Sequence, residues 1–138
     1  MTSILIRRTE PDDFRRITLQ PFDAELQDTI KEHADAMYQA AMDSSCSLSC
    51  EQDGEVVGIG GILQSGEAWQ LFSPDCRRAM LIMVKHIRAA IINHVLTIGE
   101  VYAMIDPDRP NALRWAAILG LYHSEGQKWI LNKTLLGV

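Results

Sequence analysis

Glu100-Val-Tyr-Ala-Met-Ile-Asp-Pro-Asp-Arg-Pro110, continued by Asn111-Ala-Leu-Arg-Trp-Ala-Ala-Ile-Leu-Gly120-Leu121, is the stretch whose reading decides the fold. Val101, Ala103 and Ile105 alternate with Tyr102 and Met104 at the period of a buried strand, and Asp106 to Pro110 stops it. Asn111 opens a helix. Gly120, which takes a left-handed conformation without steric cost, stands where the C′ residue would end that helix. Leu121 to Ser124, a turn at Glu125-Gly126, and Lys128 to Leu135 then read as the two strands of an antiparallel hairpin.

Upstream, Ser3 to Arg8 reads as a strand with Ile4 and Ile6 on one face, and Thr9 to Asp13 as a turn into a helix. From Asp23 to Met42 the spacing of Leu26, Ile30, Ala34, Met37 and Ala41 predicts one amphipathic helix, with Glu25, Asp28, Lys31, Glu32 and Asp35 mostly outward. Ser45 to Gln52 and Glu55 to Gln64 form a hairpin through Asp53-Gly54. Its second strand is interrupted by Gly58, Gly60 and Gly61, which mark either curvature or a place where a backbone or ligand comes close. Glu67 to Phe72 is the next strand. Ser73 as N-cap and Pro74 at the first helical position then introduce a helix from Cys76 to Thr97 that buries Met80, Val84, Ile87, Ile91 and Val95.

A chain of 138 residues, 47% of them hydrophobic, is enough for one core, so residues 1–138 are expected to form one α+β domain. A net charge of −5 without a lysine-arginine cluster argues against nucleic acid. Arg7-Arg8, Arg15-Arg16 and Arg77-Arg78 read as isolated, solvated pairs. The apolar run Ala79 to Ile98 is broken by Lys85, His86, Arg88, Asn93 and His94, and Met1 to Ile6 lacks a charged-then-apolar leader, so no membrane association is expected and the protein reads as cytoplasmic. Cys46 and Cys50 fall on one side of a strand, about 13 Å apart at the usual rise, which excludes a disulfide between them. No metal is expected, because Cys46 and Cys50 have no second pair nearby and His33, His86, His94 and His123 are scattered.

Asn111 to Leu121, with its asparagine, small-residue helix and leucine-glycine ending, resembles the late motif of the GCN5-related N-acetyltransferases (GNAT). Ile6-Arg7-Arg8-Thr9-Glu10-Pro11-Asp12-Asp13-Phe14 is similar to that family's opening, a strand ending in basic residues and an acid-rich turn. In length and order the chain also looks like the small phage-encoded acetyltransferase-like proteins. The resemblance implies a GNAT-like acyl-CoA N-acyltransferase fold, a mixed, mostly antiparallel twisted sheet with helices on both faces. It implies acetyl-CoA as cofactor and a small-molecule or protein amine as acceptor. If the protein is phage-encoded, host cytoplasm or virion and a phage or host protein partner follow.

Carried onto this sequence, the resemblance places Gln70, Leu71 and Phe72 along the pantetheine arm. Ser73, Arg77 and Arg78 face the phosphates, and Asn111 and Arg114 lie along the cofactor's other side. Glu67 or Asp106 is the candidate base, and Tyr122, with Tyr102, a candidate source of a hydroxyl. The acidic side of the helix from Asp23 either borders the acceptor or is simply solvated. Two departures stand out. The junction Phe72 to Ala79 has no glycine where the family has two, Pro74 removes one NH donor, and Asp75 offers a charge that opposes a phosphate. Arg77 and Arg78 either replace the lost loop or are ordinary surface residues. Ala116 stands where many members of the family have the tyrosine that protonates the thiolate. Cys76 at a helix start is a conceivable nucleophile, but the family transfers the acyl group directly.

Two functions remain open on this reading. One is an N-acetyltransferase acting on an amine; the other is a catalytically inactive GNAT-fold protein used as a binding, virion-associated or assembly module. A surface cluster of Trp69, Trp115 and Trp129 would favour the second.

Overall fold

The structure, a computed structural model, describes residues 3–19, 24–74 and 76–138, with residues 24, 25 and 110 described by their backbone alone. Asp23, Asp75 and the Glu25 side chain lie outside the described residues. Strand β1 (Ile4–Arg8) leads to helices α1 (Asp13–Arg16), α2 (Ala24–Glu32) and α3 (Ala34–Met42). The hairpin β2 (Cys46–Gln52) and β3 (Glu55–Ile62) turns at Asp53 and Gly54, whose φ values of 52° and 84° are the left-handed pair such a turn requires. Then come β4 (Ala68–Phe72), α4 (Arg77–Thr97), β5 (Glu100–Met104), α5 (Pro110–Ile118), β6 (Tyr122–Glu125), β7 (Lys128–Asn132) and α6 (Lys133–Leu136).

Three expectations are corrected. The single helix expected to run to Met42 is divided at His33, although His33 N–H still bonds Thr29 O and Met37 N–H bonds His33 O, both at 3.0 Å. Ser73 does not cap α4. That helix starts at Arg77, and its fully buried residues are Ala79, Met83, Ile91, His94 and Val95, so Ile91 and Val95 fall where expected, while Met80, Val84 and Ile87 lie on the same face and are only partly buried. Packing sets which are sealed, since Ala79 and Met83 meet Cys50 and Val57 in one core cluster. The last strand stops at Asn132, short of Leu135, because the Asn132 side chain accepts the Leu135 N–H at 2.9 Å and starts α6 instead.

The strands make two antiparallel sheets, β1-β2-β3-β4 and β5-β7-β6, and a parallel bridge between Glu67 and Tyr102 joins them. Gly66 permits the junction. Its φ is 97°, Tyr102 N–H donates to its carbonyl at 2.9 Å, and a Cβ there would lie 2.5 Å from Glu100 O. Beyond this point β4 and β5 part.

Helices cover both faces. On one, α1 to α3 bring Phe14, Ile17, Ile30, Ala34 and Ala41 onto Val56, Ile59, Trp69 and Leu71. On the other, Ile91 and Val95 of α4 and Ala116 and Leu119 with α5 pack on Ile62, Val101, Ala103 and Leu131. Helix α4 is long and apolar enough to cross a membrane by length and composition alone; here it lies against β2, β3 and β5. Its outer side leaves Leu81 72% exposed.

The reading of Arg7 as solvated is also corrected. Its guanidinium makes a two-pronged contact with the buried Asp13 and a further bond to Glu51 at 3.0 Å. Asp13 also accepts from Ser49 Oγ and Glu10 N–H, both at 2.7 Å. The acidic turn that resembles the family's opening is therefore a structural lock between β1, α1 and β2. Arg15 pairs instead with the exposed Asp35, and Arg16 reaches Glu51 and Gly54 O.

Candidate functional site

Where β4 and β5 separate, a cleft of about 470 Å³ opens between them and under α5, a size within the usual range for small-molecule sites. Strand alternation divides its walls. Ala68, Gln70 and Phe72 of β4 line it on the side of α4 and α5, with Ala103 and Ile105 from β5 and the strand's extension. Glu67, Trp69, Met104 and Asp106 belong to the alternate positions, which face the side of α1 to α3. The cleft thus runs through the sheet from one layer to the other. β4 hydrogen-bonds β3 along one edge, while its other edge, beyond the Glu67 bridge, borders the cleft.

Helix α5 supplies the roof. Gly120, with φ 89°, ends it as a Schellman cap: its N–H bonds Ala117 O and Leu121 N–H bonds Ala116 O, each at 3.0 Å. This fixes the helix so that Asn111, Ala112, Trp115, Ala116 and Leu119, spaced by three and four residues, present one face to the cleft. Trp115 closes part of it, since its indole N–H donates to Gln70 Oε1 and its ring meets Phe72 edge-on at 5.6 Å between centroids.

The β3 glycines serve this wall. A Cβ on Gly58 would lie 3.2 Å from the Phe72 ring, and one on Gly60 the same distance from Gln70 Cγ. One on Gly61 would lie 2.4 Å from Cys46 O. These glycines make room for the large side chains of β4 and for neighbouring backbone, a reason the sequence left open.

Among the residues named from the sequence, the cleft gathers Glu67, Gln70, Phe72, Asp106 and Asn111. Leu71 points to the opposite layer, packed with Phe14 and its neighbours. Ser73 is only 6% exposed and its Oγ has no hydrogen-bond partner, at the point where β4 gives way to α4. Arg77 and Arg78 are exposed at the start of α4, and Arg114 is exposed on α5. Tyr122 stands 54% exposed on the edge strand β6 and does not line the cleft. Met80, Trp69 and Trp115 line it without having been singled out as site residues. For Trp115 the signal was present, four residues from Asn111 and from Leu119; for Met80 it was the place on the inner face of α4, which periodicity gave without saying that this end of the face meets the cleft. None of the three tryptophans is an exposed anchor: each is half-buried against a core cluster.

The two candidate bases differ. Among the described residues Glu67 Oε2 meets only the Tyr102 hydroxyl, at 3.4 Å, and the Tyr102 ring carries Lys128 Nζ 5.1 Å from its centroid. Asp106 spends Oδ1 on the Asp108 N–H at 2.9 Å, closing the loop before α5. Burial pushes the Cys50 thiol up to about 11, with Cys76 and Glu51 adding to the rise. No group of metal-ligating side chains occurs among the described residues.

The sequence matches no protein-family model and no curated protein. Solved structures do match along nearly the whole chain. The aminoglycoside acetyltransferase AAC(6')-Ib in complex with coenzyme A and kanamycin is 11% identical, covers 98% of both chains and superposes with a TM-score of 0.66. A GNAT-family putative acetyltransferase from Desulfovibrio desulfuricans is 14% identical, with 94% of this chain and 99% of that one covered and a TM-score of 0.60. A spermidine N-acetyltransferase from Vibrio cholerae is 13% identical, with 96% of each chain covered and a TM-score of 0.58. In its sheets, its helical layers and the gap between β4 and β5, the chain has the fold of the GNAT acetyltransferases.

Proposed function

We propose that this protein is an acyl-coenzyme A-dependent N-acyltransferase acting on an amine. The observation that carries the reading is the through-sheet cleft, with an open strand edge and aromatic wall on one side and carboxylates on the other. The solved relatives include one bound to coenzyme A and an aminoglycoside. The free edge of β4 suits an amide-bearing arm, the orphaned Ser73 Oγ suits a phosphate oxygen, and Arg77 and Arg78 stand exposed beside it.

An acyl thioester supplies an activated carbonyl: once the ammonium has given up one proton, the amine nitrogen forms the new C–N bond, the C–S bond breaks, the sulfur leaves with the electron pair, and the second proton shed by the nitrogen passes through water to that sulfur. Glu67 receives the proton of the incoming ammonium, its carboxylate being less committed than that of Asp106, and Asp106 holds the loop that starts α5. Gln70 and Trp115, bonded to each other, keep β4 and α5 at a fixed separation. Trp69 and Met104 line the acceptor's side.

Calorimetric titration of coenzyme A and acetyl-coenzyme A tests the reading, with Arg77→Ala and Arg78→Ala beside the parent. Micromolar binding weakened by either substitution supports it, and no binding at millimolar ligand sinks it. A second reading, a non-catalytic binding or assembly module such as a phage could use, is favoured by one observation: the Met80 side chain lines the cleft in the first turn of α4, where phosphate groups need bare backbone.

A further inference from the structure

Glu67 is held from behind by two residues that do not line the cleft. It stands at the parallel bridge with Tyr102, where paired side chains leave the sheet on one side, and the Tyr102 hydroxyl donates to its Oε2 at 3.4 Å. Across β5 and β7 Tyr102 pairs with Ile130 and Met104 with Lys128, so Lys128, two residues from Ile130, shares the face of Tyr102. Its ammonium lies 5.1 Å from the centre of the Tyr102 ring, within the range of a cation–π contact. The three side chains thus form a chain across the junction of the two sheets. A glutamate has several rotatable bonds, and an untethered one spends little of its time in the geometry that meets an ammonium. A tyrosine rooted in a strand has a fixed reach, and the Tyr102 N–H is tied to Gly66 O, next to Glu67, at 2.9 Å. The hydroxyl contact is long for an O–H···O bond and has room to tighten when a substrate seats.

Resting on the acyl-transfer reading, we infer that Tyr102 and Lys128 are positioning residues for the reaction. The Tyr102 hydroxyl holds Glu67 by Oε2 and leaves Oε1 to take the proton of the ammonium, while Lys128 steadies the ring that carries the hydroxyl. Neither residue touches the substrate. Tyr102 keeps its own proton throughout, so its hydroxyl is spent on Glu67 and not on the departing sulfur.

Thiol release from acetyl-coenzyme A by the full chain, with an alkylamine, a diamine, an aminosugar and a lysine peptide as acceptors, tests this directly. Tyr102→Phe keeps the ring and the backbone bonds and is expected to lower kcat about tenfold, with KM for acetyl-coenzyme A unchanged. In a Glu67→Gln background the same substitution should change kcat by less than about twofold, because a group that acts through Glu67 then has nothing to position. Lys128→Met should lower kcat about threefold, and Lys128→Arg, which keeps a cation over the ring, should restore it. If thermal melting shows that Tyr102→Phe does not fold, the two Lys128 variants make the same test. Parent-like kcat in Tyr102→Phe, or a loss undiminished in the Glu67→Gln background, overturns the inference and leaves the acyl-transfer reading standing; no thiol release by the parent with any of these amines overturns both.

Discussion

Arg7 and Asp13 face each other through two parallel hydrogen bonds of 2.8 Å, and the Asp13 side chain is 1% exposed. Removing one member strands the other in the core. Asp13→Asn is expected to destabilise the fold by about 3 kcal/mol, read from urea unfolding midpoints.

The same pair sets an acid limit. Burial alone would raise the Asp13 carboxyl, but bonds from Arg7, Glu10 N–H and Ser49 together hold it below its ordinary 3.8. Because the folded value lies below the unfolded one, the stabilisation is fully present above pH 3.8 and is lost as pH falls through the folded value. Acid titration monitored by circular dichroism should therefore show the parent losing stability below that pH, with the loss blunted in Asp13→Asn.

Gly66→Ala should cost more than Gly99→Ala. Both glycines have positive φ, 97° and 130°, but a Cβ at Gly66 would strike Glu100 O at 2.5 Å and one at Gly99 would meet nothing within 4 Å. The strain common to both is on the order of 1 kcal/mol, so denaturant midpoints that coincide would refute the close approach at the sheet junction.

In an acylation assay, Glu67→Gln is expected to lower kcat by about 10²- to 10⁴-fold while leaving coenzyme A affinity close to the parent's. Asp106→Asn keeps the Oδ1 acceptor of its turn and should change kcat far less. Reversal of that order would assign the proton to Asp106.

The Cys50 thiol, pushed up to about 11 chiefly by burial, should be almost wholly protonated at pH 8, and a protonated thiol is a poor nucleophile. A disulfide reagent at that pH should leave Cys50 unmodified in the native protein and modify it after denaturation, as peptide mass mapping would show.

Much of the fold was legible because its signals are local. Asp53-Gly54 specifies its hairpin through two left-handed residues, and Gly120 specifies the end of α5 in the same way. The alternation of Val101 and Ala103 survives intact as the buried face of β5. What failed depended on contacts distant in sequence. Which residues of α4 are sealed completely is fixed by Cys50 and Val57 across the sheet, and the helical period gives the inner face without saying which edge of it lies deepest. Arg7 could not be told from a surface arginine without knowing that Asp13 and Glu51 converge on it. In the site, Gln70, Phe72 and Asn111 turn side chains to the cleft, whereas Leu71 turns its own to the opposite layer and keeps only its backbone on the edge of β4.

The bridge between Glu67 and Tyr102 also governs the order in which the molecule comes together. The strands β2, β3 and β4 follow one another through short connections, as do β6 and β7, but the contact between the two sheets must close a loop containing the whole of α4. That closure costs entropy before any contact repays it. Each half-sheet can therefore assemble by itself, and the cleft is expected to form last and to open first on warming. The Tyr102 amide, bonded to Gly66 O at 2.9 Å, is its natural sentinel: deuterium should replace that proton sooner than those holding β2 to β3, and a ligand seated in the cleft should slow the exchange.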